Sequence, residues 1–247
     1  MSKILVTDKE IVVPGQVLAE GMGFLPAGAA FRDKDRIIAL KIGLVNIDGR
    51  LIKLIPLKGQ YLPKIHDLVI GKIEDVMLGS WLVDYGGSKY AMLSARNFLQ
   101  RNNQVDDLSQ FMDVGDVIIA KIYKVVRKNT VDLSMQGPGL RKLGNGRVIE
   151  VSPPKVPRII GKQGSMISMI KDQTNCRISV GQNGWVWVYG PDPNMEMIAI
   201  ETIRKIENES HIPGLTDRIK DFLNSKVGKV DKVVKIDRVD EEGKEDV

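Results

Sequence analysis

The sequence predicts a multidomain chain that is β-rich in its first two parts and α+β in its last. A small N-terminal β-domain is expected over residues 1–65 and a five-stranded barrel over 66–144. An α/β domain of order β-α-α-β-β-α with an added C-terminal helix is expected over 145–236, and an acidic tail over 237–247. Three observations lead there. At 247 residues the chain is too long for one small domain. Five short strand-like segments between residues 67 and 136 are separated by glycines and polar turns. Finally, Ile159-Ile160-Gly161-Lys162-Gln163-Gly164 is followed by an apolar pattern of helical period.

Composition narrows the function classes. Hydrophobic residues at 43% with charged residues at 27% fit a folded chain without disordered bulk. No apolar run approaches membrane-span length and the first residues lack a signal-peptide layout, so a cytoplasmic protein with no membrane partner is expected. The single cysteine, Cys176, excludes a disulfide framework within the chain and any multi-cysteine zinc site. His66 and His211 leave little for imidazole chemistry, and no cofactor is expected. The net charge of +5 and pI near 9.1 lean toward a polyanionic partner. Residues 145–236 carry fourteen basic and ten acidic side chains, whereas 237–247 carry two and six, which predicts a disordered tail.

In residues 1–65, Ile11-Val12-Val13 reads as a strand ending at Pro14-Gly15, and Leu25-Pro26-Ala27-Gly28 reads as a turn. Residues 37–57 read as a hairpin turning at Asp48-Gly49, a dipeptide suited to a type I′ turn. No catalytic constellation appears; this part either stabilises its neighbour or docks to another protein. Residues 60–65 read as a linker.

The next five strands are expected at 67–77, 80–86, 89–94, 116–127 and 130–136, with a partly helical insertion at 95–112 after the third. That order is the pattern of an OB barrel. The strings Val69-Ile70-Gly71-Lys72-Ile73, Val83-Asp84-Tyr85-Gly86-Gly87, Val117-Ile118 and Val131-Asp132-Leu133-Ser134 resemble the RNA-binding OB domain first described in ribosomal protein S-one. Leu82 and Met92 stand where such domains carry a stacking aromatic and a histidine, which implies a weak grip on bases. Trp81, Tyr85, Tyr90 and Tyr123 are either barrel core or stacking surface. Lys121, Lys124 and Arg127, with Lys128, form a candidate strip for tracking a phosphate backbone.

After breaks at Gly137-Pro138-Gly139 and Gly144-Asn145-Gly146, a strand is expected at 147–152 and a short helix at 156–160. The glycine loop follows, then a helix from Ser165, its expected N-cap, to Gln173. Strands are expected at 176–180 and 185–189, and a helix to Glu209 begins at Asp192-Pro193. Two glycines allow a sharp turn and close approach of a ligand, and a helix start offers free N–H groups to an anion. Gly-x-x-Gly alone also fits an ordinary helix–helix turn. The full Ile-Ile-Gly-x-x-Gly-x-x-Ile string, with this element order, resembles the type I KH domain, whose loop clamps about four single-stranded nucleotides. The resemblance implies a phosphate clamp of Gly161, Lys162, Gln163 and Gly164. It implies an apolar floor of Ile159, Ile160, Ile167 and Ile178, flanked by the cations Arg158, Lys155 and Arg177. Leu215–Lys226 reads as an extra helix and Val227–Val239 as a strand or tail.

Taken in order, β-domain, S-one-type barrel and single KH domain resemble the KH-containing cap subunits of the archaeal RNA exosome over nearly the whole chain. The early Val12-Val13-Pro14-Gly15-Gln16 string is similar to that family's N-terminal domain. The resemblance implies a subunit without chemistry of its own, three copies on a hexameric RNase PH-like ring, capturing single-stranded RNA and feeding its 3′ end inward. The alternatives are a transcription elongation factor of the Nus type, which has two KH domains against one here, and a free-standing KH–OB RNA binder. A fragment of a polynucleotide phosphorylase would place KH before the barrel, and an assembly subunit could keep a KH loop that has lost its ligand.

Overall fold

The computed structural model describes residues 2–57, 59–98, 108–126, 130–210, 212 and 214–242, with side chains up to residue 228. Contacts divide the chain into two compact units, Met1–Gln60 and Tyr61–Val247.

The first unit is a sandwich of two four-stranded sheets. Strands β1 (Lys3–Ile4), β3 (Val17–Glu20), β6 (Arg36–Ala39) and β5 (Ala30–Asp33) form one, in that order. Strands β2 (Ile11–Val12), β7 (Gly43–Asp48), β8 (Leu51–Pro56) and β4 (Leu25–Gly28) form the other. Alternation sends Leu18 and Ile37 of the first sheet, and Val45, Ile52 and Leu54 of the second, into one core. Three local expectations are corrected. Residues 25–28 are a strand, parallel to β8. Pro26 is tolerated because β4 is the sheet's edge, where a missing N–H breaks no ladder. The stretch 37–57 is divided, since residues 36–39 belong to the opposite sheet. The hairpin turn is Gly49-Arg50, because Asp48 pairs with Leu51. Only Gly49 has positive φ (56°), the φ pattern of a type II′ turn with glycine at its first central position.

The second unit opens with the closed barrel. Strands β9 (Leu68–Met77), β10 (Ser80–Asp84), β11 (Ala91–Ser94), β12 (Val117–Val126) and β13 (Thr130–Ser134) match the five expected segments. The wall runs β9-β10-β11-β13-β12 and closes on β9, with β11–β13 the one parallel pairing among these five. Val69, Ile73, Trp81, Val83, Leu93, Ile118, Ile122 and Leu133 fill the interior. Trp81 is satisfied there by donating from Nε1 to the Met112 carbonyl at 3.0 Å. A short helix, α1 (Ala95–Phe98), follows the third strand, and Phe98 meets Trp81 edge-on; residues 99–107 of the expected insertion lie outside the described residues. Tyr61, expected in a linker, is instead core, and its hydroxyl donates to Asp67. Burial first, then that carboxylate, pushes the Tyr61 phenol up. A sixth strand that the sequence reading lacked, β14 (Arg141–Leu143), adds to the free side of β12.

The α+β part follows as β15 (Arg147–Glu150), α2 (Val156–Ile160), α3 (Ser165–Thr174), β16 (Arg177–Val180), β17 (Trp185–Tyr189) and α4 (Pro193–Glu209). Its sheet is antiparallel, ordered β15-β17-β16. Asp192 caps α4 by accepting from the Asn194 N–H at 2.9 Å. A fifth helix, α5, runs from Leu215 to Glu242. The strand or tail expected from residue 227, and the first part of the tail expected from 237, are therefore helical backbone. Residues 243–247 and His211 lie outside the described residues. No helix among the described residues is long and apolar enough to cross a membrane.

Barrel and sheet are joined along β9. Beyond Lys72, the last β9 residue paired with β10 after the bulge, the strand edge would be bare. The Gly181–Gly184 turn between β16 and β17 fills it. The Gln182 N–H donates to the Leu68 carbonyl at 2.8 Å, and Gln182 Oε1 accepts from the Leu68 N–H. Asn183 is 5% exposed. Its Oδ1 accepts from the Ile70 N–H at 3.2 Å, while its Nδ2 donates to the carbonyls of Ile70 and Tyr85, both at 2.8 Å. Behind this seam Ile70, Ile119, Leu143 and Trp187 form a small core of their own.

Candidate nucleic-acid interface

The glycine loop is anchored from behind. The Ser152 N–H donates to Glu207 Oε1 at 2.8 Å, and Lys155 Nζ donates to the Glu207 carbonyl at 2.9 Å. Lys155 is thus committed to α4. Burial alone would raise the Glu207 carboxyl, but the bonds from Ser152 and Arg204 prevail and hold it below its usual range. From this anchor a 3-10 turn at Pro153–Lys155 leads into α2, which ends at Gly161 with φ 76° and ψ 177°. A Cβ there would lie 2.7 Å from both the backbone N and the Cβ of Met166, so only glycine lets α2 and α3 approach this closely.

Gln163 (φ 54°) and Gly164 (φ 81°) are left-handed in succession, which turns the Lys162 and Gln163 side chains out to solvent. The N-cap of α3 is Gly164, so Ser165 is the first helical residue and its expected capping role is corrected. No side chain caps this helix start. The Ser165 N–H donates to the Lys162 carbonyl, while the positive end of the helix dipole lies beside the Lys162 ammonium, an electrostatic setting that suits an anion. Among the described residues neither Lys162 nor Arg158, exposed on α2, has an ion-pair partner.

The residues expected as a floor divide in two. Ile160 and Ile167 are half-buried beside the loop, open to a flat apolar ligand. Ile159 and Ile178 are core residues under the helices. Val180, absent from the expected set, is half-buried on the same side of β16 as Ile178; extending the strand alternation by two positions finds it. Arg177 does not reach the loop. It pairs with Tyr189 and points to the sheet's other side, where Trp187 packs on the barrel. Cys176 is buried, and burial pushes its thiol up, keeping it protonated.

On the barrel, Lys121 faces Ser134 and Lys124 faces Asp132, so both lie on one outer face although three residues apart. A bulge at Tyr123 supplies the extra residue and leaves that ring 62% exposed. Arg127 and Lys128 lie outside the described residues. Leu82 and Met92 are direct partners on the same outer face, where Asp75 and Asp132 are their neighbours. Trp81 and Tyr85 are interior, whereas Tyr90 is exposed.

A KH-domain family model matches residues 146–194. The chain is 44% identical to exosome complex component Rrp4 of Pyrococcus horikoshii, across 92% of this chain and 87% of that one. It is 45% identical to the Thermococcus kodakarensis protein of that name, across 92% and 90%, and 43% identical to that of Saccharolobus solfataricus, across 92% of each. The chain belongs to the Rrp4 family of exosome complex components. A crystal structure described as an exosome complex RNA-binding protein superposes with a TM-score of 0.62 at 37% identity, covering 68% of this chain and 97% of that one. Within this Rrp4-family chain the matched KH span holds both the uncapped helix start and the turn that completes β9. One module therefore carries the candidate anion site and the barrel joint.

Proposed function

We propose that this chain is a non-catalytic, RNA-binding cap subunit of an exosome. It captures single-stranded RNA and guides the 3′ end into a phosphorolytic ring of RNase PH-like subunits, three copies of the chain seated on each hexameric ring. The observation that carries the RNA reading is the uncapped start of α3, with Lys162 beside it and half-buried Ile160 and Ile167 next to the loop. Phosphate meets the N–H groups and bases lie on the isoleucines. The family supports the exosome setting. Residues 1–65 are assigned to ring docking, 66–144 to the barrel and 145–236 to the KH module. Docking is supported by the outer face of the β2-β7-β8-β4 sheet, where Ile11, Leu25, Leu51 and Ile55 stand exposed. Lys121 and Lys124 are assigned to backbone tracking, with Arg127 as their continuation, and the site of action is the cytoplasm.

The test replaces Lys162 and Gln163 with aspartate. Affinity for single-stranded RNA is expected to fall strongly through repulsion of phosphate, and the salt dependence of binding to become shallower. Unchanged affinity at low salt refutes the glycine-loop reading. Light scattering on the chain mixed with an archaeal RNase PH-like hexamer tests the setting: three chains per ring are expected, and no association refutes it.

A further inference from the structure

A cavity of about 440 Å³ opens where the barrel meets the back of the KH sheet. Arg141, Gly144 and Asn145 line it from the β14 side; Arg177, Trp187 and Tyr189 line it from the sheet. Its size is in the range that takes a small ligand. Neither guanidinium has a hydrogen-bond or ion-pair partner among the described residues, and no acidic residue lines the cavity. Trp187 and Tyr189, two apart on β17, stack with ring centroids 6.0 Å apart and planes within 12°. Trp187 is 4% exposed, yet its indole Nε1 has no hydrogen-bond partner. A buried donor left unpaired is costly, and such groups in folded proteins call for a reason. Gly146 is fitted to it: a Cβ there would lie 2.5 Å from that nitrogen.

Two unpaired planar cations and an aromatic stack, in a cavity without carboxylates, describe a nucleotide. Guanidiniums take phosphate in a fork, and a base extends an aromatic stack. We propose that this cavity seats one nucleotide of single-stranded RNA as a second contact, on the face of the KH sheet opposite the glycine loop. The proposal rests on the RNA-binding reading above. It gives Arg177 an RNA-facing role the loop does not offer, and RNA bound at the loop would wrap the sheet's edge to reach it.

The full-length chain is titrated by fluorescence anisotropy with labelled oligoadenylates of about four nucleotides, enough for the glycine loop, and of about sixteen, enough for both sites. The R141A/R177A variant is compared with K34A/K53A, which removes equal charge from exposed positions of the first unit. Expected is a loss of about tenfold for the long RNA specific to R141A/R177A, with the short RNA unaffected. Equal losses in the two variants, or a loss extending to the short RNA, overturn the proposal. Photocrosslinking of 4-thiouridine RNA should label the peptide holding Tyr189, and R141A/R177A should abolish that label. Adducts confined to the glycine-loop peptide overturn it. Oligoglutamate competing as well as unlabelled RNA of equal charge would reassign the cavity to an acidic peptide. Failure of the glycine-loop reading is visible separately: K162D/Q163D would then bind the short RNA at full affinity, whatever R141A/R177A does.

Discussion

Removing one amide should open the seam between barrel and KH module. In Asn183→Ala the Ile70 N–H and the carbonyls of Ile70 and Tyr85 lose their partner together. A buried polar group left unmet costs about 1–3 kcal/mol, so three of them cost about 3–9. Gln182 and Gly86 beside the seam are exposed, so water reaches its rim and the lower part of that range, about 3–4 kcal/mol, is expected. Guanidinium unfolding followed by far-ultraviolet dichroism measures the loss. Hydrogen exchange localises it: protection at the Ile70 amide should fall by about two orders of magnitude. The Ile73 amide, which donates to the Asp116 carbonyl, should keep its protection more nearly. Asn183→Asp should be worse at neutral pH, because it sets an anion against two carbonyls, and should recover partly on acidification. A loss under about 1 kcal/mol with Ile70 still protected would refute the argument that this side chain stands in for a missing strand partner.

Two further substitutions separate shape from charge around the loop. Gly161→Ala should cost about 2 kcal/mol or more and weaken RNA binding, since its Cβ meets Met166 and its φ is positive. Gly164→Ala, whose Cβ would find nothing nearer than 3.9 Å, should cost about 1 kcal/mol; equal costs in thermal melts would contradict this. Glu207→Gln should cost about 1–2 kcal/mol at neutral pH by weakening the bonds to Ser152 and Arg204. Because the folded-state carboxyl sits below its ordinary 4.5, its stabilisation is present above that pH and is lost as pH falls through the folded value. The variant's stability profile should therefore be flatter than the parent's below pH 4.5, and parallel profiles would exclude Glu207 as the group responsible.

The barrel was legible because each of its strands alternates in sequence: Trp81, Val83 and Tyr85 point in while Leu82 and Asp84 face outward. The glycine loop was legible because glycine is required where it stands. What escaped has physical causes. Strand β14 is three residues, Arg-Lys-Leu, between glycine-rich breaks, too short for a period to show; its pairing with β12 makes it a strand. Gly181-Gln182-Asn183-Gly184 reads as a turn and is one, but nothing local announces that its amides serve a strand more than a hundred residues earlier. The side chosen by Arg177 was readable, since Cys176 and Ile178 flank it and both are core, but a loop-centred reading assigned it to the nearest anion site. Past residue 226 the apolar spacing of α5 weakens, and the sequence stopped the helix where the backbone continues it to Glu242.

Domain shuffling in evolution favours cuts that few interactions cross. A cut at residue 144 would strip the Leu68–Gly71 edge of the turn that covers it, and a bare strand edge invites pairing with the wrong chain. The same cut would leave Trp185 and Trp187 facing water on the liberated KH sheet. Barrel and KH module are thus heritable as a couple: a lineage that trades one for a foreign domain must also acquire a stand-in for Asn183.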